Sequence, residues 1–173
     1  ITLVKAARLR TLPLSVSGII TGSAVALREK PEAFRWDIFL LALLTTILFQ
    51  ILSNFANDYG DGVKGTDNEH RIGPARALQS GAITREQMKR VVLITAALSI
   101  LSAIALIIAA FGSEKLLYTL VFFVLGLLCV AAAIKYTVGR SAYGYRGLGD
   151  VFVFVFFGLV SVVGSQFLYT QQI

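Results

Sequence analysis

Charge is scarce in this sequence: only 15% of its 173 residues are Asp, Glu, Lys or Arg. Soluble domains carry about 25% charged and about 45–50% apolar residues. Here 56% of the residues are hydrophobic and the mean hydropathy is +0.75, which excludes an ordinary water-soluble domain. Cysteine is scarcer still. The single Cys129, inside the apolar run GLLCVAAA, rules out an intrachain disulfide framework and reads as a small buried hydrophobe. One histidine, His70, sits among charged residues and reads as solvated, and no zinc-binding spacing exists. Low-complexity stretches and convincing short repeats are missing, and no signal-peptide cleavage pattern follows KAARLRTLPL. The chain opens on Ile1, so both ends are expected to be cut from a longer protein.

What the sequence has is long apolar runs. A spanning helix needs about 20 mostly apolar residues. Five runs qualify, at roughly 12–27, 37–57, 91–112, 116–134 and 149–169. The expected fold class is therefore all-α, a polytopic membrane helical bundle. Pro13 falls near the start of the first run, where a helix tolerates proline. Gly18 and Gly22, four apart, allow another helix to approach closely. With five spans, the N-terminal segment and residues 58–90 and 135–148 share one side. That side holds twelve of the sixteen basic residues, which assigns it to the cytoplasm. The net charge of +6 then reports loops held against an anionic leaflet, not a nucleic-acid surface.

The connections are unequal. Gly112-Ser113-Glu114-Lys115 is a tight turn on the outer side, whereas some 33 residues separate the second and third spans. A connection that long is more often functional or disordered than a plain link. Thr84 and Gln87 within TREQMKR form a capping box that opens the third helix.

The acids are gathered where an apolar helix ends. ANDYGDGVKGTD, residues 56–67, contains Asp58, Asp61 and Asp67, three of the ten acids. On a helix, Gln50, Asn54, Asp58 and Asp61 fall in one stripe, and Asn57 neighbours it. A carboxylate at a membrane-helix centre costs about 2.5–3.5 kcal/mol, and such residues face a bundle interior or cavity. The stripe is expected to wall a water-filled pocket opening to the cytoplasm. Clustered carboxylates need protons or a cation, and oxygen ligands without His or Cys favour Mg²⁺. Lys64, Arg71 and Arg76 follow within fifteen residues of Asp61 and would hold phosphates. The plain alternative is a solvated loop whose charges pair with one another.

A second cluster, IKYTVGRSAYGYRGLGD (134–150), lies on the same side. It offers Lys135, Tyr136, Tyr143 and Tyr145, and Arg146 and Asp150 four apart at a helix start. Each tyrosine is equally well explained as part of an interfacial aromatic belt.

These residues resemble the UbiA superfamily of intramembrane aromatic prenyltransferases. The family's first aspartate-rich motif, Asn-Asp-x-x-Asp with a further Asp, is matched by Asn57, Asp58, Asp61 and Asp67. The six-residue gap from Asp61 to Asp67 resembles the menaquinone branch, as do RLRTLPLS, RIGPARALQSGAIT and YGYRGLGD. The resemblance implies transfer of a polyprenyl group from polyprenyl diphosphate to 1,4-dihydroxy-2-naphthoate, with loss of diphosphate and CO₂. It implies Asn57, Asp58 and Asp61 as Mg²⁺ ligands, with Asp67 through water. Arg10, Lys64, Arg71 and Arg76 become phosphate candidates. Lys135, Tyr136 and Arg146 would flank the allylic centre or the acceptor carboxylate, with Asn54 and Asp150 completing the substrate-binding set. The partners implied are polyprenyl diphosphate, an aromatic acceptor and the lipid bilayer of a bacterial cytoplasmic membrane, with no nucleic acid. The family has nine membrane helices and a second aspartate-rich motif after the sixth. Residues 1–173 are thus expected to form part of one transmembrane domain, lacking that motif.

Three other readings stand beside it. Prenyl transfer to 4-hydroxybenzoate or homogentisate would use the same site. The CDP-alcohol phosphatidyltransferases begin with Asp58, Asp61 and Gly62, but Lys64-Gly65 break their pattern. A cation-coupled transporter would place its acids at the midplane, not at one face beside bases.

Overall fold

The computed structural model describes residues 2–65 and 76–172. Five of its helical segments are long and apolar enough to cross a membrane: Thr2–Glu29, Trp36–Lys64, Arg85–Phe111, Leu116–Lys135 and Gly149–Thr170. No strand occurs among the described residues. Helix α1 (Thr2–Ala7) and α2 (Leu12–Glu29) make up the first span. They are separated at Arg8, which adopts a left-handed conformation with φ 50°, and by the 3₁₀ turn Leu9–Thr11. Pro13 lies in the first turn of α2, where no helical N–H is lost.

Helix α3 (Trp36–Lys64) continues seven residues beyond the expected end at 57 and stops at Gly65, whose φ of 70° suits a residue without a Cβ. The Asn-Asp-x-x-Asp motif is therefore the last two turns of a helix. Helix α4 (Arg85–Phe111) opens on the expected Thr84–Gln87 capping box, both of whose hydrogen bonds form. Helix α5 spans Leu116–Lys135. The fifth span consists of α6 (Gly149–Val153), a π-helical stretch Phe154–Val160 and α7 (Ser161–Thr170).

Helix α3 is central, packing on α2, α4 and α5. Small and hydroxylated residues let α4 come close: Ser99 and Ser102 are buried, and Thr45 and Ser102 share a 2.8 Å hydrogen bond between their hydroxyls. Two apolar clusters follow. Leu52, Phe55, Ala77, Met88 and Val92 lie toward the end that carries the long connections, and Ile38, Ala42, Leu106, Phe111 and Leu168 toward the other. On α5 most apolar side chains are exposed, as suits a helix facing lipid.

The glycine pair of α2 makes the close approach expected of it, against the fifth span. A Cβ on Gly18 would overlap Ser161, and one on Gly22 would overlap the Val162 carbonyl oxygen and come 2.8 Å from the Ser165 Cβ. Backbone cannot rotate away as a side chain can. Gly22→Leu is expected to destabilise the bundle by about 1–3 kcal/mol through overpacking. Thermal unfolding in detergent would register this as a lowered Tm, with Gly164→Ala, in open space, as the neutral control.

Candidate functional site

The predicted stripe is buried along its whole length. Gln50, Asn54, Asp58 and Asp61 are 8%, 3%, 1% and 7% exposed. Its deep end closes on the first span. Asn54 Nδ2 donates to the Ala7 carbonyl at 2.8 Å and to Thr11 Oγ1 at 3.0 Å, and Gln50 Nε2 donates to Thr11 Oγ1 at 3.0 Å. Thr11 in turn donates to the Arg8 carbonyl at 2.9 Å. Asn54 of α3 thus satisfies the Ala7 carbonyl that the break between α1 and α2 exposes, as a membrane interior requires, and with Gln50 holds the Thr11 hydroxyl that serves the Arg8 carbonyl.

The stripe does not form a pocket wall throughout, and here the expectation is corrected. A cavity of about 270 Å³ is lined by Thr11, Gln50, Ser53, Asn54, Asn57, Tyr136, Tyr143 and Phe152 among others, but not by Asp58 or Asp61. The two acids turn instead toward chain that returns from the connections. Asp58 accepts the backbone amides of Ala77 at 3.2 Å and Leu78 at 3.3 Å. Asp61 pairs with the Arg76 guanidinium and accepts the Tyr145 hydroxyl. Arg76 also donates to the Asn57 carbonyl at 3.0 Å. Spacing on one helix set the stripe, whereas its partners come from 15 to 84 residues away.

The 136–148 connection reaches the same turns. Thr137 Oγ1 donates to the Ala56 carbonyl at 3.0 Å and to Asn57 Oδ1 at 3.2 Å. A Cβ on Gly60 would stand 2.6 Å from Thr137 Oγ1, so glycine is what lets this chain cross α3. Lys64 Nζ lies 4.1 Å from the centroid of the Tyr145 ring, a cation–π contact. Tyr136 lines the cavity, held between Gly144 and Gly149; a Cβ on Gly149 would be 2.9 Å from its hydroxyl oxygen. Tyr143 stacks on Phe152 at 3.8 Å and donates to the Ala132 carbonyl at 2.7 Å. Burial raises its phenol to about 12, so it remains a donor through neutral pH.

Lys135, Arg146 and Asp150 are exposed and do not line the cavity, and the same holds for Arg10. Asp67 and Arg71 lie outside the described residues. Sequence reasoning missed Thr11 and Thr137 as parts of the site and left Tyr145 open between the site and an aromatic belt. Thr11 carries a usable signal, a hydroxyl just before Leu12-Pro13; the sequence does not distinguish Tyr145 from Tyr136 and Tyr143.

Among the described residues, no three Asp, Glu, His or Cys side chains come together as a metal group. The donors that are present still suit a hard cation. Asn57 Oδ1 and the Asp61 carboxylate, four residues apart at the end of α3, are hard oxygen ligands with no thiolate or imidazole beside them on the helix. Mg²⁺ commonly takes one or two protein carboxylates and fills its shell with water and phosphate oxygens. Asp61 is paired with the Arg76 guanidinium, the charge pairing that the plain alternative expects, so a cation here would share or displace that contact. Beyond the polar cavity lies an apolar one of about 120 Å³, lined by residues such as Ile19, Ala42, Phe122 and Leu168. Both cavities touch Thr46, Phe49, Cys129 and Phe156, so they adjoin there.

Five apolar helices, four of which line a cavity with polar groups at one end, define a multi-pass membrane protein with an intramembrane site. The chain belongs to the UbiA prenyltransferase family, whose family model matches residues 16–173. It is 49% identical over 167 residues to a Haemophilus influenzae protein named 1,4-dihydroxy-2-naphthoate octaprenyltransferase, covering 96% of this chain and 54% of that one. An Escherichia coli protein of the same name is 50% identical over 161 residues, covering 93% and 51%. A Mycobacterium tuberculosis protein of that name is 37% identical over 170 residues, covering 98% and 54%. The chain spans about half the length of these relatives. No solved structure matches it.

Proposed function

We propose that this chain serves Mg²⁺-dependent transfer of a polyprenyl group from polyprenyl diphosphate to 1,4-dihydroxy-2-naphthoate, with decarboxylation to demethylmenaquinone. One observation carries the reading: both basic connections converge on Asn57 and Asp61, and Asn57 lines a cavity that adjoins a more apolar one. A diphosphate fits the Asn57 end and an isoprenoid tail the apolar cavity. The names of relatives up to 50% identical support the naphthoate as acceptor.

Asn57 and Asp61 would hold the metal, with Asp67 as a further ligand; bound there, Mg²⁺ would neutralise charge that builds on the departing diphosphate. Arg76 and Lys64, already gathered at Asp61 and Tyr145, would bind the phosphate oxygens together with Arg71. Tyr136 orients the allylic end, fixed by Gly144 and Gly149. Asn54 and Gln50 hold the wall in place through Thr11. Lys135, Arg146, Asp150 and Arg10 would meet the substrates from the rim. The twelve basic residues of the N-terminal segment and the two long connections support placing these segments on the cytoplasmic side of a bacterial inner membrane.

The test is product analysis with the full-length protein in membranes, offered the naphthoate or 4-hydroxybenzoate. Prenylated naphthoate alone is expected. Chelation should abolish its formation and added Mg²⁺ restore it. Prenylated hydroxybenzoate as the main product would overturn the acceptor assignment, and transfer undiminished by chelator would overturn the metal.

A further inference from the structure

We propose that Asp58 is a positioning residue and not a metal ligand: its carboxylate seats the 76–80 turn on α3 and so sets Arg76 over Asn57 and Asp61. This rests on the reading of Asn57 and Asp61 as the diphosphate–metal centre. Asp58 is only 1% exposed and absent from the cavity lining. Both of its oxygens are engaged, Oδ2 by the Ala77 amide and Oδ1 by the Leu78 amide. A magnesium ion keeps several waters in its shell. Asp61 is also outside the cavity lining with both oxygens engaged, but its partners are the Arg76 and Tyr145 side chains, which can swing aside for a hydrated ion. At Asp58 the partners are backbone amides, and an ion reaches it only by unseating the turn.

The turn is built to dock. Ala77 is buried in the cluster with Leu52, Phe55 and Met88. A Cβ on Gly62 would collide with the Leu78 side chain, so the absence of one makes the seat for Leu78. The Ser80 amide donates to the Arg76 carbonyl at 2.9 Å and the Arg76 amide to Gln79 Oε1 at 3.3 Å, which closes the turn on itself. Arg76 enters this turn directly, and its guanidinium bridges the Asn57 carbonyl and the Asp61 carboxylate. Asp58 and Asp61 therefore divide the work. The first holds backbone, and the second faces positive charge.

The experiment uses the full-length protein in detergent, with Asp58→Asn, Asp58→Ala and Asp61→Asn. Amide exchange of the segment holding Ala77 and Leu78 is followed by mass spectrometry, and Mn²⁺ binding is measured with inorganic diphosphate present. Asp58→Ala should speed exchange at those amides by about tenfold or more, because each loses a charged acceptor. Asp58→Asn keeps one acceptor and guards against a variant that fails to fold. Its Mn²⁺ affinity should stay within about twofold of the parent, while Asp61→Asn loses about tenfold or more. In transfer assays Asp58→Asn should raise KM for the polyprenyl diphosphate more than it lowers kcat, and add little to Arg76→Ala. Unchanged exchange in Asp58→Ala, or Mn²⁺ lost from Asp58→Asn as from Asp61→Asn, would overturn the proposal. Mn²⁺ binding untouched in both variants would sink the metal centre itself, and the exchange result would then decide the anchoring role alone.

Discussion

Asp61→Asn is expected to lower prenyl transfer by about 10²–10³-fold, the scale on which one preorganised charged contact to a transition state acts. The substitution keeps shape and removes charge from the carboxylate that gathers Arg76 and Tyr145. Its second consequence is structural. Arg76 and Asp61 side chains are only 13% and 10% exposed, so the guanidinium loses the Asp61 charge in a largely buried setting. Breaking a buried pair from one side costs about 3–5 kcal/mol, and partial exposure puts this pair at or below the low end. Removing both partners with apolar or neutral groups costs far less than removing one. The double variant Asp61→Asn with Arg76→Met should therefore recover most of the lost thermal stability while transfer remains lost. Recovery of both together would mean that Asp61 matters for folding alone. Turnover near the parent's at saturating Mg²⁺ would remove Asp61 from the centre.

The spans were legible because about 20 apolar residues in water have few alternatives, and membrane insertion sorts them by hydropathy alone. The end of α3 was not. Hydropathy falls after Phe55, and Asp58, Asp61 and Lys64 look like the first residues of a loop. They stay helical because distant groups satisfy them: Asp58 by two amides near 77, Asp61 by Arg76 and Tyr145. Periodicity showed that Gln50, Asn54, Asp58 and Asp61 share a face, and burial of all four agrees. What that face meets depends on contacts across the chain, which no helical spacing encodes. The same limit explains Arg10. The left-handed residue at Arg8 breaks the helix just before it, and Arg10 is left exposed. The glycine pair of α2 was legible as a contact surface, but its partner, the fifth span, was not.

Asn54→Leu should be nearly as damaging as the loss of Asp61, though Asn54 carries no charge. Its amide is 3% exposed and ties together the Ala7 carbonyl and the Thr11 hydroxyl on either side of the break in the first span. Leucine fills the volume and offers no donor. The Ala7 carbonyl is then an unsatisfied buried acceptor, which costs about 1–3 kcal/mol. The break is free to relax toward a continuous helix, which would carry Thr11 out of the cavity wall. A displacement near 1 Å of such a wall is enough for about a 10²-fold fall in transfer. Gln50→Leu removes a single bond to Thr11 and leaves the Ala7 carbonyl served, so its effect should be several-fold smaller. That ordering discriminates between roles. If Asn54 acts by binding substrate, Asn54→Leu should change KM while Tm holds; if it pins the break, Tm and transfer should fall together. Thr11→Val should then reproduce part of both losses, because it removes the hydroxyl that Asn54 and Gln50 share.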